Sequence, residues 1–262
     1  MTAYLAIAGA RLRALLQYRA AAAAGIVTHI FWGLIRMMIF EAFYRSSAAA
    51  QPMSYPEVVT YIWLGQATLA LTLGSADMDV RAMVRTGTVA YEMVRPMDVY
   101  WTWFSRTIAA RLAPMALQVV PVLLIGAMFG LGPPPTVASA AAWAAGTAGA
   151  LLVTTALWTL ASISLLWTIS GEGVARLIPT LGYCFCGMLI PIPLMPPWAQ
   201  PIVTALPFWT VMDAPFRLYL GHIPPEGAGI ILLHQLAWTV GLVLFGRWLL
   251  GRAFGRLVVQ GG

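Results

Sequence analysis

One charged stretch, between long apolar runs, carries the side chains best suited to contact a partner. It holds acidic residues first and basic residues later: Asp77, Asp79, Arg81, Arg85, Glu92, Arg95 and Asp98. Acids in the first turn of a helix and bases in the last turn complement the helix dipole. Because Gly87 can end a helix, the pattern predicts a short amphipathic helix over 77–87. Such a helix could dock on a soluble partner; the alternative is a solvated turn at the membrane interface.

Three polar residues inside the apolar runs are candidates for lining a path through the protein: Arg36, Gln66 and Gln118. An arginine at the centre of a membrane span costs about 2.5–3.5 kcal/mol on insertion scales. The alternative for Arg36 is a side chain that reaches the outer interface and pairs locally, near Glu41. The alternative for both glutamines is hydrogen bonding between neighbouring helices.

Several kinds of chemistry are disfavoured by the sequence. The chain has no lysine, so it lacks the P-loop that binds nucleotide phosphates and cannot form a lysine Schiff base. Cys184 and Cys186 lie in an apolar run, which argues against a disulfide framework. His29, His222 and His234 are too far apart in sequence for metal-ligand spacing. We therefore expect no catalytic site, metal or cofactor in this chain.

The elements that hold these residues are predicted to be membrane-spanning helices. Of the 262 residues 60% are hydrophobic and only 9% are charged, whereas a soluble domain has roughly 25% charged residues. Crossing the ~30 Å hydrocarbon core takes about 20 apolar residues in a helix. The sequence predicts an all-α integral membrane protein with six transmembrane helices, at about 20–44, 56–76, 103–131, 137–169, 174–195 and 228–250.

Two further segments complete the predicted fold. Residues 1–19 lack the compact apolar core of a cleaved signal peptide and instead predict an amphipathic helix at the interface, with an apolar face: Leu5, Ala8, Leu12, Leu15 and Leu16. Residues 198–224 are apolar but interrupted by prolines, which predicts a re-entrant helical hairpin before the last span. Residues 20–262 are expected to form one six-helix domain.

The distribution of arginine predicts the orientation. With six spans, eleven arginines fall on the side of both termini: Arg11, Arg13, Arg19, Arg81, Arg85, Arg95, Arg106, Arg176, Arg247, Arg252 and Arg256. The other side has Arg45 and Arg217. The positive-inside rule then places both termini in the cytoplasm. Arginines that flank apolar runs indicate membrane topology rather than nucleic-acid binding.

The chain resembles a known family of membrane proteins over nearly its whole length. The residues that carry the resemblance are Arg85-Thr86-Gly87, Tyr91 through Met97, Leu206-Pro207-Phe208, Ala214-Pro215, Leu220-Gly221, Gln235 with Trp238, and Val259-Gln260-Gly261-Gly262. Their order and spacing are similar to those of ABC-2-type ABC transporter permeases, most closely the viologen-exporter-type subfamily. One departure is Val94, where family members often have leucine before Arg-Pro.

The resemblance implies the permease subunit of an ATP-driven exporter in the bacterial cytoplasmic membrane. Two ATPase subunits would bind ATP and Mg and contact a coupling helix, with Asp77, Asp79, Arg81, Arg85 and Arg95 as the coupling residues. A second permease chain, identical or homologous, would complete the path. The substrate would be hydrophobic, cationic or peptide-like. The alternatives are an ATP-independent channel or secondary transporter, with broken helices in both halves, and a membrane-embedded enzyme.

Overall fold

The computed structural model describes residues 2–47, 50–72, 76–168 and 172–255. The predicted loop at Ser170 and Gly171, and Arg256 with residues 259–262, lie outside the described residues. Within these ranges the chain is helical and contains no strand. The helices are α1 (Thr2–Leu16), α2 (Arg19–Ser46), α3 (Tyr55–Ala67), α4 (Met78–Thr86), α5 (Ala90–Met93), α6 (Val99–Met128), α7 (Val137–Ser164), α8 (Glu172–Phe185), α9 (Gln200–Ala205), α10 (Asp213–Leu220) and α11 (Ala228–Phe254).

Four helices of the described chain, α2, α6, α7 and α11, are long and apolar enough to cross a membrane. They correspond to the first, third, fourth and sixth predicted spans, with ends that differ by a few residues. The start of α6 lies at Val99, earlier than predicted, because the Asp98 side chain accepts a hydrogen bond from the Trp101 amide at 3.1 Å and caps the helix. The chain is therefore a membrane protein with an all-helical fold.

The second and fifth predicted spans are shorter helices than expected. The α3 helix ends at Ala67 after 13 residues and is followed by a 3-10 turn at Leu69–Leu71. The α8 helix has 14 residues, and after its end at Phe185 the backbone of Gly187 takes a left-handed conformation, with φ 87°. Neither helix alone reaches the length of about 20 residues that a membrane span needs.

The α3 helix is the core of the bundle, since every residue from 58 to 67 is buried. Its Trp63 is completely buried between two glycines of neighbouring helices. A Cβ at Gly126 of α6 would lie 2.9 Å from the Trp63 Cβ and Cγ, and one at Gly33 of α2 would lie 3.1 Å from the indole ring. The absence of side chains at Gly33 and Gly126 therefore lets α2, α3 and α6 pack closely.

The segment before α11 folds back into the protein. It consists of α9, a 3-10 turn at Phe208–Val211 and α10, which packs against α7 and α3. The buried Gln235 of α11 donates hydrogen bonds to the carbonyls of Gly146 at 2.9 Å and Thr210 at 2.8 Å. A hydrogen-bonded side chain therefore joins α7, α11 and this segment.

The N-terminal helix α1 packs along α6. Four of the five predicted apolar positions, Ala8, Leu12, Leu15 and Leu16, are partly covered, whereas Leu5 is 68% exposed. The helix ends at Leu16, and α2 begins three residues later at Arg19. A helix is therefore present within the predicted range 1–19, slightly shorter than predicted, and it packs against α6.

Candidate functional site

The helix predicted over 77–87 is present as α4, with both of its predicted ends. The Asp77 side chain accepts a hydrogen bond from the Asp79 amide at 2.9 Å and caps the first turn. Gly87 has φ 73° and ends the helix in a left-handed conformation. Val80 is completely buried in a cluster that includes Trp103 and Trp158. The small apolar face of α4 therefore attaches it to the helical bundle.

Two acidic residues of this helix are held by arginines from other helices. Arg106 of α6 contacts Asp77 at 3.3 Å and Asp79 at 2.7 Å, and Arg11 of α1 contacts Asp79 at 3.1 Å. The Asp77 amide also donates a hydrogen bond to the Ser162 hydroxyl of α7 at 3.0 Å. Asp77 and Asp79 therefore anchor the start of α4 to α1, α6 and α7. Arg11 and Arg106 were not among the predicted site residues, since no local pattern relates them to the acids.

Several other side chains of the 78–96 segment are exposed, and they include large apolar residues and arginines. We call this the loop surface and define it by Met78, Arg85, Tyr91, Val94 and Arg95. The exposed fractions of Tyr91 and Val94 are 68% and 79%. The Arg95 guanidinium forms an ion pair at 2.9 Å with Glu92, which is buried. The predicted residues Arg85 and Arg95 thus lie on this surface, and Arg81 is half-buried beside it.

A second ion pair joins the same end of the bundle. Asp98, the cap of α6, pairs with Arg247 of α11 at 2.9 Å, and its amide donates a hydrogen bond to the Tyr4 hydroxyl of α1 at 3.0 Å. The contacts of Arg11, Arg106 and Arg247 therefore place α1, the 77–98 segment, the start of α6 and the final part of α11 at one end of the molecule.

The other end of the bundle has its own polar contacts. His222 Nε2 lies 2.6 Å from the Glu57 carboxylate, at the first turn of α3. The Tyr219 hydroxyl donates to the Gly132 carbonyl at 3.1 Å, and the Gly132 amide donates to Thr60 at 2.9 Å. The start of α3, the turn after α6 and the end of α10 are thereby joined.

Of the three predicted path residues, Arg36 lies partly buried on α2. Its expected local partner Glu41 instead pairs with Arg45 at 2.5 Å. Within the described part of the chain, the Arg36 guanidinium has no ion pair or hydrogen bond. Arg36 is close enough to Tyr61, Tyr183 and Cys186 to interact with them electrostatically.

The two glutamines have different surroundings. Gln66 is 1% exposed, and its side-chain oxygen has no hydrogen-bond partner in the described structure. Gln118 joins two helices, since it lies 3.2 Å from the His29 ring and donates to the Ala22 carbonyl at 3.4 Å. Gln118 thus has the contacts of an interhelical bridge, whereas the described residues give neither the Gln66 side-chain oxygen nor the Arg36 guanidinium a hydrogen-bond partner.

A buried carboxylate forms a polar centre that the sequence interpretation missed. Asp213 is completely buried and accepts hydrogen bonds from the Tyr61 hydroxyl at 2.9 Å and the Ile192 amide at 3.1 Å. Arg217 Nη1 lies 3.7 Å from its second oxygen. The sequence did contain a signal for this residue, because Asp213 is the only acidic residue between Glu172 and Glu226. An isolated acid in an apolar segment is expensive unless it has partners.

Arg111 also makes specific contacts in the fold that the sequence interpretation did not predict. It is buried in α6, its guanidinium lies 4.6 Å from the centre of the Trp158 ring, and it donates to the Ala70 carbonyl at 3.3 Å. These contacts hold the turn that follows α3 against α6 and α7. A cation–π contact between helices has no signature in the local sequence.

The remaining chemistry-bearing residues stand apart. Cys184 and Cys186 are free thiols. In the ranges that the structure describes, no three His, Cys, Asp or Glu side chains come together as a metal site would require.

No protein-family model, curated protein sequence or solved structure matches this chain.

Proposed function

We propose that this chain is the permease subunit of an ATP-driven ABC exporter of the ABC-2 type. The observation that carries the proposal is the loop surface on α4 and its flanks. A short, capped helix forms ion pairs with Arg11 and Arg106, and the segment that contains it exposes arginines and large apolar residues. Exposed apolar residues with arginine are the composition of a protein-binding surface.

In this proposal, the partner that docks on the loop surface is a soluble ATPase subunit. The chain has no lysine and hence no P-loop of its own. Two ATPase subunits would bind ATP and Mg, one under each of two permease chains, identical or homologous. Movement of the ATPases would be transmitted through Asp77 and Asp79 to α1, α6 and α7, since their contacts run to those helices.

The proposed topology has six crossings. Besides the four long helices, α3 with its 3-10 turn and α8 with the chain after Gly187 would each cross as a broken helix. The burial of Thr68, Leu69, Leu71 and Thr72, just after the end of the helix, supports this for α3, because irregular backbone at membrane depth must be covered by protein. The α9–α10 segment would be re-entrant, with both termini in the cytoplasm of a bacterium.

The substrate path in this proposal follows α2 and α3, past Arg36 and Gln66, and Gln118 would stabilise the helices around it. The expected substrate is hydrophobic, cationic or peptide-like. Export would proceed as the paired permeases alternate between inward-facing and outward-facing arrangements.

A second candidate function, an ATP-independent channel or secondary transporter, is favoured by one observation. Transporters of that class have broken helices in both halves. Here α3 breaks after Ala67 in the first half, and α8 breaks after Phe185 in the second.

Co-purification with a co-expressed ATPase subunit of the kind that the exporter proposal requires separates the two functions. We would attach an affinity tag to this chain and compare the unchanged protein with the variants Arg85→Glu and Val94→Asp, which change two exposed residues of the loop surface. Arg95→Glu is unsuitable because it would place two acids together at the buried Glu92. The control is Arg13→Glu, an exposed arginine of α1.

We expect the ATPase to co-purify with the unchanged chain and with the Arg13 variant. Either loop-surface variant should reduce the retained ATPase about tenfold, the effect of losing 1.4 kcal/mol of binding. If no ATPase associates in mild detergent or in nanodiscs, the exporter proposal is wrong and the ATP-independent transporter becomes the function to test.

A further inference from the structure

A cavity lies between α1 and the first turns of α6. Its volume is about 400 Å³, and the described residues that line it are Tyr4, Leu5, Trp101 and Ser105. This volume is within the range of small-molecule binding sites. Two of the lining side chains are aromatic, and Leu5 adds an aliphatic group that is 68% exposed. The walls are therefore mostly apolar and suit an apolar ligand.

Three hydrogen-bond donors on these walls have no acceptor among the described residues. Ser105 is only 8% exposed, yet its hydroxyl makes no hydrogen bond to a described residue. The same holds for the indole N–H of Trp101. The Tyr4 hydroxyl accepts from the Asp98 amide at 3.0 Å and keeps its own proton to donate. Since a buried hydroxyl normally has a partner, water or a ligand must supply the acceptor.

The charged groups at this end of α1 and α6 are already paired with one another. Arg106 of α6 and Arg11 of α1 both contact Asp79, at 2.7 Å and 3.1 Å. Asp98, the cap of α6, contacts Arg247 at 2.9 Å. An ionic ligand would have to compete with these pairs, whereas a neutral one would leave them intact. The cavity therefore favours uncharged oxygen acceptors, such as carbonyl groups.

The cavity also lies near the end of a membrane-spanning helix. The α6 helix begins at Val99 and is long and apolar enough to cross a membrane, so Trp101 and Ser105 belong to its first two turns. Tryptophan and tyrosine are enriched where lipid headgroups meet the hydrocarbon core. A glycerophospholipid at this depth has two ester carbonyls joined to apolar chains. Its chemistry matches both the free donors and the apolar walls.

We propose that the cavity between α1 and α6 binds the ester region of a membrane glycerophospholipid. The Ser105 hydroxyl and the Trp101 indole N–H donate to its carbonyls, with the Tyr4 hydroxyl as a third donor. One acyl chain lies against Leu5 and the aromatic rings, so the bound lipid joins α1 to α6. The inference concerns this chain alone and does not depend on the proposed transport function.

The test compares two lipids that differ only in their carbonyl groups. The probes are dioleoyl phosphatidylcholine, which is a diester, and its diether analogue with oleyl chains; they share headgroup and chain length. The full chain is purified in dodecyl maltoside, a detergent without carbonyl groups, and receives equal amounts of both lipids. Native mass spectrometry then counts the lipids that each chain retains, because the two lipids differ in mass.

Two variants each remove one donor. Ser105→Ala deletes a hydroxyl that no described residue uses, and alanine is the better helix former, so this variant should fold. Trp101→Phe removes the indole N–H and keeps an aromatic wall. The matched control is Thr28→Val on α2, because the exposed Thr28 hydroxyl already donates to the Ala24 carbonyl of its own helix at 3.1 Å.

We expect the unchanged chain to retain the diester about fivefold over the diether, the effect of about one net hydrogen bond. Ser105→Ala and Trp101→Phe should each reduce this ratio to about half or less, and Thr28→Val should leave it unchanged. Equal retention of the two lipids by the unchanged chain would mean that water satisfies the donors, and would overturn the proposal. A ratio that survives in both donor variants, or falls equally in the control, would overturn it as well, because the carbonyls would then be bound elsewhere.

Discussion

The packing of Trp63 between two glycines makes a quantitative prediction about stability. Changing Gly126 to alanine places a Cβ 2.9 Å from the Cβ and Cγ of Trp63. These atoms lie at the base of a completely buried side chain, so they cannot turn away as the end of a flexible side chain could. The indole is also fixed by its contact with the Met37 sulfur at 3.2 Å and by stacking on Phe129 at 5.6 Å.

The expected loss of stability follows from two opposing effects. Forcing an extra carbon into a packed interior costs about 1–3 kcal/mol, and replacing glycine by alanine in a helix gains about 1 kcal/mol. We therefore expect Gly126→Ala to lower the free energy of unfolding by about 0–2 kcal/mol, whereas the same change at a site with open space should raise it by up to about 1 kcal/mol. Gly241→Ala in α11 is the control, because its Cβ would meet no atom within 4 Å, and it should be neutral or slightly stabilising.

The assay is equilibrium unfolding of the purified chain in mixed micelles with increasing SDS. The double variant Gly126→Ala with Trp63→Leu tests the cause, because a smaller residue at 63 makes room for the added methyl group. The penalty of the alanine should then be smaller than in the unchanged background, which a double-mutant cycle measures. Equal stabilities of the Gly126 and Gly241 variants, or strictly additive effects in the cycle, would refute this account of the packing.

Three other predictions address the remaining contacts. Tyr61→Phe removes a hydrogen bond to a buried carboxylate and should cost about 1–3 kcal/mol in the same unfolding assay, whereas Tyr91→Phe, on an exposed side chain, should cost nothing measurable. Asp98→Asn keeps a residue that can cap the helix, so the free energy of unfolding should fall by less than about 1 kcal/mol. Asp98→Ala loses both the cap and the ion pair, so the loss should be about 1–2 kcal/mol. Equal losses of stability in the two variants would contradict the role of the cap. Finally, a single cysteine is placed at Arg85 or at Val137 in a chain whose own two cysteines have been replaced. A membrane-impermeant thiol reagent should label the two positions from opposite sides of the membrane. Labelling of both positions from the same side would contradict the topology.

The long helices were predictable because hydropathy and local caps determine them. Residues 20–44 and 228–250 are predominantly apolar and contain no proline, and α2 and α11 cover both. The ends of α4 were predictable as well, because the Asp77 cap and the Gly87 stop are signals within the helix sequence itself.

The breaks in the second and fifth predicted spans were not predictable from hydropathy. The run 56–76 is apolar on both sides of Ala67, and the composition does not reveal where the helix ends. In the fifth span, Gly187 is one glycine among several. A Cβ at this position would collide with Tyr61 and Asp213 from other helices, so the need for glycine here is visible only in the folded structure.

The partners of the candidate site residues also depend on the fold. Asp79 was predicted as a docking residue, yet its contacts are Arg11 and Arg106, far from it in the chain. Arg36 was expected near Glu41, but Glu41 pairs with Arg45, one turn further along. A glutamate followed four residues later by arginine is a favourable helical pair, so this outcome was available from the sequence.

ATP hydrolysis by the reconstituted complex tests the central claim most directly. We would place this chain in nanodiscs with the ATPase subunit that the exporter proposal requires and measure the hydrolysis rate for the unchanged chain, Arg85→Glu and the control Arg13→Glu. The account predicts hydrolysis that depends on this chain, a rate about tenfold lower with Arg85→Glu at limiting ATPase concentration, and an unchanged rate with Arg13→Glu. A rate independent of this chain, or equal in all three preparations, would contradict the assignment of the loop surface as the site of ATPase coupling.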